Sequence, residues 1–262
     1  MKTIVLQSYR KENVPNWIRS CLQSVENWAA IKGFDYKFID DRFFDYAPDW
    51  FRKRCGKEFY PVTDIARLYL LRENLNNGYD RALWVDADVI VFNNTDFNID
   101  DNNGYAFCHE IMLGIGPDKK LVLSKNSLNN AVMIFEHGHP MLNFYIFSAE
   151  EIIRNTPPDK IFRTIIGPDL LVRLSRFMPV YRLTCVGLYT PVYMQALAAD
   201  KKNIIEAYRN QFGFDMYAAN LCHFHRNLES DQNKLIMDKL FENIIKLLVE
   251  SKGELVNKKG LR

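Results

Sequence analysis

The run Trp84-Val85-Asp86-Ala87-Asp88-Val89-Ile90-Val91-Phe92 sets two carboxylates one residue apart inside an otherwise hydrophobic stretch. Burying two anions side by side is costly unless a cation compensates them, so this spacing asks for a metal. Carboxylates are hard oxygen ligands that suit Mg2+ or Mn2+, ions that complete their octahedron with waters and substrate phosphates. In isolation such a pair also reads as two solvated acids in a turn. What precedes it in the chain favours chemistry.

Residues 3–9 form a short β-type run, and after Pro15-Asn16 a helical period follows at Ile18, Cys21, Leu22, Val25, Trp28 and Ala29, with Gly33 as its stop. Tyr36-Lys37-Phe38-Ile39 alternates and ends in Asp40-Asp41. Strand, helix, strand is half of a parallel nucleotide-binding sheet. The segment Trp50 to Lys57 reads as a loop whose Arg52-Lys53-Arg54 is a solvated basic face, with steering of a diphosphate or an anionic acceptor as its other uses. Pro61 and Thr63 then introduce a helix from Asp64 to about Asn74, with Thr63 as N-cap. After the breaker Asn76-Asn77-Gly78, Ala82 to Val85 reads as a buried strand whose end carries Asp86 and Asp88. The fold class is α/β, with chemistry at a strand's carboxyl end. Further on, strands are expected near 104–108, 131–135, 179–186 and 218–224, and helices near 140–154, 168–175 and 231–250.

With 262 residues, 48% of them hydrophobic and 25% charged, the chain is globular and long enough for a substantial core. Nothing Pro/Gly/Ser-rich divides it, so one domain over 1–228 is expected, followed by a C-terminal helix and basic tail over 229–262. The formal net charge of +2 gives no argument for nucleic acid and points to small molecules or neutral glycans as partners. Five scattered cysteines, never in CxxC spacing, argue against a disulfide framework or a cysteine zinc site and fit a reducing compartment, hence a cytoplasmic location. The apolar run at the N-terminus is too short for a signal, and no stretch approaches a membrane span. A soluble protein is expected, at most peripheral to the inner face of the membrane. There the tail charges Lys258, Lys259 and Arg262 could assist weak attachment at about 1 kcal/mol each.

In Thr63-Asp64-Ile65-Ala66-Arg67, Asp64 and Arg67 stand three apart on one helical face, an acceptor and a forked donor pointing the same way. A [S/T]-D-x-x-R helix, a Gly-containing breaker and an apolar strand ending in DxD together resemble the sugar-binding DXD region of retaining GT-A glycosyltransferases. Family 32 is nearest, with bacterial family 8 enzymes and the clostridial glucosylating toxins more distant. Asn129-Asn130-Ala131-Val132-Met133, His139-Pro140 and Ile166-Gly167-Pro168-Asp169 resemble later segments of these families, and the likeness covers roughly residues 1 to 225. It implies a GT-A, Rossmann-like mixed sheet, mostly parallel and flanked by helices, with a C-terminal helical appendage.

The resemblance also implies roles. Asp88 and Asp86 would hold the metal or contact the ribose and sugar. Asp64 and Arg67 would bind donor-sugar hydroxyls, and Gln7, Ser8, Tyr9 and Asp40 would line the base and ribose end. Asn129 and Asn130 would bond donor or acceptor hydroxyls. A later histidine often supplies a third metal ligand, and His223 and His225 would share one face of a strand, so spacing does not choose between them. The chain lacks the Lys-Pro-Trp or Ser-Trp that usually follows. The implied reaction moves a hexose from a UDP- or GDP-sugar, with Mn2+ or Mg2+, to a glycan or lipid-linked sugar hydroxyl in surface polysaccharide or glycoconjugate synthesis. Retention needs no dedicated base; inversion would draw one from Asp169, Glu110 or Glu136. Two rivals remain: a haloacid-dehalogenase-like phosphatase, whose nucleophile motif is also an apolar strand with DxD, and a non-catalytic module that binds sugar nucleotides or glycans.

Overall fold

The computed structural model describes residues 1–99, 103–118, 120–124, 127–227 and 229–257. The basic tail 258–262 lies outside them. The chain opens with β1 (Thr3–Ser8), α1 (Asn16–Lys32) and β2 (Asp35–Ile39). Gly33 ends α1 in the left-handed conformation at φ 68, where its amide reaches back to Ala29 and Ala30. A 3-10 turn over Asp41–Tyr46 leads to α2 (Asp49–Cys55) and α3 (Phe59–Asn76). Two expectations change here. The stretch from Trp50 is largely helical, with Phe51 and Cys55 buried. Its Arg54 donates to the carbonyls of Ile153, Arg154 and Thr156, so it caps a helix end instead of lying in solvent. The helix of Asp64 starts one turn earlier, at Phe59, and Thr63 is inside it with its hydroxyl donating to Phe59 O at 3.2 Å. Pro61 is tolerated because a first-turn N–H has no intrahelical partner to lose.

Then come β3 (Arg81–Val85), β4 (Val89–Val91), β5 (Tyr105–Glu110), the hairpin β6 (Leu113–Ile115) and β7 (Leu121–Leu123), β8 (Ser127–Glu136), α4 (Pro140–Asn155) and α5 (Pro168–Leu174). The chain continues through β9 (Arg182–Leu183), β10 (Val186–Leu188), α6 (Pro191–Ala198), α7 (Lys202–Phe212), β11 (Ala218–Asn220), α8 (His223–Asn227) and α9 (Asp231–Glu250). The strand expected over 218–224 stops at Asn220, because Cys222 turns into the left-handed region at φ 53 and Asn220 Oδ1 accepts its amide. His223 and His225 therefore sit on α8 and not on a strand. The helices α6 and α7 had no counterpart in the sequence reading, although Thr190-Pro191 carries a start signal: Thr190 caps α6 at Tyr193 N.

Six strands form a mixed, mostly parallel sheet in the order β2-β1-β3-β8-β5-β9. β1 runs parallel to β2 and β3, β8 antiparallel to β3 and β5, and β9 parallel to β5. Alternation along each strand feeds two cores. Ile4, Leu6, Trp84, Met133 and Phe135 face α3 and α4, while Val5, Leu83, Val85, Val132 and Ile134 face Val25, Trp28 and Ala29 of α1. A second sheet, β10-β11-β4, lies beside the first. The carboxylate pair is the link between them: the chain leaves the large sheet after Val85 and enters the small one at Val89.

The last helix is built into this frame. Ser230 caps α9, which packs on α1 and α6 and supplies Phe241, Ile244 and Leu248 to a core shared with Trp17, Tyr193 and Met194. Phe241 lies 4.2 Å from the Trp17 ring. Phe241→Ala is expected to lower stability by about 3–5 kcal/mol in urea unfolding. A loss below about 1 kcal/mol would mean that α9 is a separable appendage.

Candidate functional site

β1 has its sequence successor β2 on one side and β3 on the other, with α1 and α3 on opposite faces. The crevice between β1 and β3 is therefore a topological switch point, where open α/β sheets bind ligands beyond the strand ends. A cleft of about 1610 Å³ opens there, lined by Ser8 at the end of β1 and Tyr9 beyond it, Asp40 and Asp41 after β2, and Asp86 to Asp88 after β3. That exceeds the roughly 300–1,000 Å³ of a one-ligand pocket, leaving room for two ligands.

Arg67 is the electrostatic centre of the floor. Its guanidinium lies 3.4 Å from Asp64 and 3.2 Å from Asp86, donates to Asn130 O at 3.2 Å, and sits 5.3 Å from the Trp84 ring centroid. Trp84 Nε1 donates to Asp86 Oδ1 at 2.7 Å, and Asn130 Nδ2 to Asp64 Oδ1 at 2.8 Å. Asn130 reaches α3 because β8 bulges: opposite Phe107 and Cys108 of β5 the register jumps from Met133 to Asn129. Gly167 closes the same corner, since a Cβ there would stand 2.7 Å from Asp64 Oδ2.

Asp88 is held from the other sheet. Asn220 Nδ2 donates to its Oδ1 and the His223 amide to its Oδ2, both at 2.8 Å. α8 is in turn clamped to α9, where Arg226 forks onto Asp238 at 2.5 and 2.7 Å and Trp17 Nε1 adds a third donor at 2.7 Å. Neither Asn220 nor Asp238 was a candidate from sequence. Asn220 meets Asp88 and Asp238 meets Trp17 across distant parts of the chain, and no local motif marks them.

The other candidates differ in what they face. Gln7 is fully buried beneath the cleft, its amide donating to Asp86 O and accepting from Tyr36. Asp40 is occupied by Lys11 at 2.6 Å and Arg42 at 3.0 Å, which hold its carboxyl well below the usual range. Asn129 donates to Glu110 at 3.1 Å and accepts from Ala131 N. Asp169 lines the cleft in the first turn of α5 and accepts from Thr164 at 3.2 Å. Glu110 lines the cleft too, whereas Glu136 ends the far side of β8 away from it. The His223 ring lies against Trp17 and Tyr9, its Nε2 buried and without a partner among the described residues. Burial, with Arg226 nearby, lowers its pKa to about 4, so it is neutral at pH 7. His225 lies beside Phe224, its pKa also lowered by burial and by Arg163.

The fold is similar to that of a glycosyltransferase involved in the glycosylation of the major capsid of PBCV-1. The TM-score is 0.51 at 15% identity, over 93% of this chain and 100% of that one. The chain has a glycosyltransferase fold. A Drosophila galactosyltransferase 7 in complex with manganese, UDP-Gal and xylobiose is similar at a TM-score of 0.27 and 11% identity, covering 67% of this chain and 74% of that one, and adds nothing at that score. No protein-family model matches the chain, and no curated protein matches it in sequence. No helix among the described residues is long and apolar enough to cross a membrane.

Burial raises the pKa of Asp64 to about 6 and that of Asp86 to about 6 despite Arg67, and raises that of Asp88. Between about pH 4 and 6 the folded protein thus holds more protons here than the unfolded chain, so in metal-free solution these groups make stability fall as pH rises through that window. Arg67→Met leaves the carboxylates without their cation. It is expected to cost about 3–5 kcal/mol at pH 7 and clearly less at pH 5, read by urea unfolding of metal-free protein. An equal loss at both pH values would show that packing, not charge, is what Arg67 contributes.

Proposed function

We propose that the protein is a metal-dependent glycosyltransferase, allied to family 32, that moves a hexose from a UDP- or GDP-sugar to a hydroxyl of a glycan or lipid-linked sugar. The observation that carries this reading is the placing of Asp86 and Asp88 at the β1/β3 switch point, where one guanidinium pairs with two of the three carboxylates gathered there, the buried Asp64 and the half-buried Asp86. Three negative charges against one positive leave a site that favours a further cation. Among the described residues no three His, Cys, Asp or Glu side chains gather as a metal cluster. The carboxylates of Asp86 and Asp88 are hard oxygen donors that fit Mn2+ or Mg2+, ions that take most of their ligands from diphosphate and water.

Asp88 is the residue assigned to the metal, with Asp86 beside it and His223 the nearer histidine, since its own amide already holds Asp88. Bound there, the ion would supply positive charge to the departing diphosphate. The chain's own residues do the rest. Asn220 and the His223 amide fix the carboxylate of Asp88 in one orientation. Arg67 keeps Asp86 and Asp64 ionised near neutral pH, and Asp64 with Asn130 offers acceptor and donor atoms to sugar hydroxyls that would otherwise be buried unpaired. Ser8, Tyr9 and Asp40, which line the cleft, would form the base and ribose end, with Gln7 beneath them holding Asp86 O. With retention the leaving oxygen takes the acceptor proton and no carboxylate base is needed; in an inverting enzyme Asp169 or Glu110, both at the cleft, would fill that role.

Thermal unfolding of wild type and Asp88→Asn with UDP, GDP or CMP, each with and without Mn2+, tests the reading. One nucleotide is expected to stabilise wild type by several degrees only with Mn2+; about 100 times the dissociation constant adds ~2.7 kcal/mol. The isosteric variant should lose that shift, and wild type should slowly hydrolyse the matching sugar nucleotide. If no nucleotide registers under any condition, the transferase reading fails and the non-catalytic glycan module replaces it.

A further inference from the structure

The cleft extends past the carboxylates to a wall made by α5 and its flanks, where Arg163, Arg173 and Arg176 are exposed. Among the described residues none of the three has a carboxylate within ion-pair distance, although Asp169 is one helical turn from Arg173. That carboxylate accepts from Thr164 instead. The other cations of the cleft are engaged: Arg67 with Asp64 and Asp86, Arg226 with Asp238, and Lys234 with Asp231. Arg10 donates to Asn13 O and stacks toward Tyr9. Three guanidiniums on one wall therefore concentrate unpaired positive charge that the overall net charge of +2 conceals.

Arg163 is also preorganised. Its guanidinium lies 3.7 Å over the ring of Phe224, and Phe224 meets Tyr60 edge-on at 5.7 Å, both rings lining the cleft. Rigid aromatic faces offer large apolar area at small entropic cost, and guanidinium forks match carboxylate and phosphate oxygens. The position relative to the donor sugar follows from α5. Gly167 abuts Asp64, and Arg173 stands six residues further along the helix, a rise of about 9 Å. A charge bound there belongs to a part of the acceptor beyond the hexose being transferred.

We propose that this wall is an acceptor subsite for an anionic saccharide, whose ring packs on the Tyr60 and Phe224 ledge while its carboxylate or phosphate is held by Arg163, Arg173 and Arg176. The assignment rests on the transferase reading and narrows its acceptor class.

The test is direct binding, by calorimetry with wild type and the triple variant Arg163→Ala/Arg173→Ala/Arg176→Ala, of tetragalacturonate, maltotetraose 1-phosphate and neutral maltotetraose. All three side chains are exposed, so the variant is expected to fold. The Mn2+ and nucleotide thermal shift is measured alongside. Wild type should bind at least one anionic probe about tenfold more tightly than the neutral one at low salt. The variant should lose that preference, as wild type should near 0.5 M salt, while the nucleotide shift stays unchanged. Which anionic probe wins identifies carboxylate or phosphate as the group recognised. Equal binding of all three by wild type, or a preference kept by the variant, overturns the proposal. A nucleotide shift that falls in the variant while the glycan preference survives also overturns it, because the arginines would then face the donor diphosphate. An anionic preference that depends on the arginines, with no nucleotide response in wild type, sinks the transferase reading and leaves the anionic-saccharide site standing.

Discussion

Arg67 lies between the carboxylates of Asp64 and Asp86 with little water around it, and much of the cleft is arranged to make that tolerable. A guanidinium on α3 can meet a carboxylate after β3 only if α3 packs squarely on the sheet, which Ile65, Leu68 and Leu71 ensure by filling the core against Ile4, Leu6 and Trp84. Trp84 then does two things, packing into that core and donating to Asp86. Breaking a buried pair of this kind costs more than forming it contributes, so the apolar packing and the charged floor constrain each other.

The remaining imbalance is chemical. One cation pairs with two of three clustered carboxylates, and desolvation raises the pKa of all three. A protein built only for stability would gain by replacing such acids with apolar groups. They are held instead where two sheets separate, on the floor of a cleft of about 1610 Å³, at a cost in stability that packing alone does not require.

The geometry is secured from three directions. The β8 bulge turns Asn130 toward Asp64, the Gln7 amide supports Asp86 from below, and β11 with α8 holds Asp88 from the side. The last of these runs on through Arg226 and Asp238 to α9 and Trp17, so a helix near the chain's end bears on a carboxylate far earlier in sequence. This is why α9 is more than a cover: its core residues and its half-buried Asp238 both bear on the site.

Much of this was legible locally. The period of α1 and its Gly33 stop, the buried strand before Asp86, the i,i+3 pairing of Asp64 with Arg67 and the helix from Asp231 are all short-range consequences of side-chain spacing, and spacing is what a sequence displays. What the sequence left open depends on contacts far apart in the chain. A first-turn proline marks a helix start only to within a turn, so Thr63 looked like a cap while the helix had already begun at Phe59. Alternation in Cys222-His223-Phe224-His225 looked like strand until the positive φ of Cys222, stabilised by Asn220, turned the chain into α8. Arg54 read as solvated because the α4 carbonyls it caps lie about a hundred residues away. By itself, then, the sequence determined the opening strand–helix–strand, the helix of Asp64 and Arg67 and the carboxylate pair, whose cost demands compensation. Only the tertiary structure decided that Arg67 supplies it in part and that Asn220 and His223 orient Asp88, because those partners meet through packing between the two sheets and not through any local pattern.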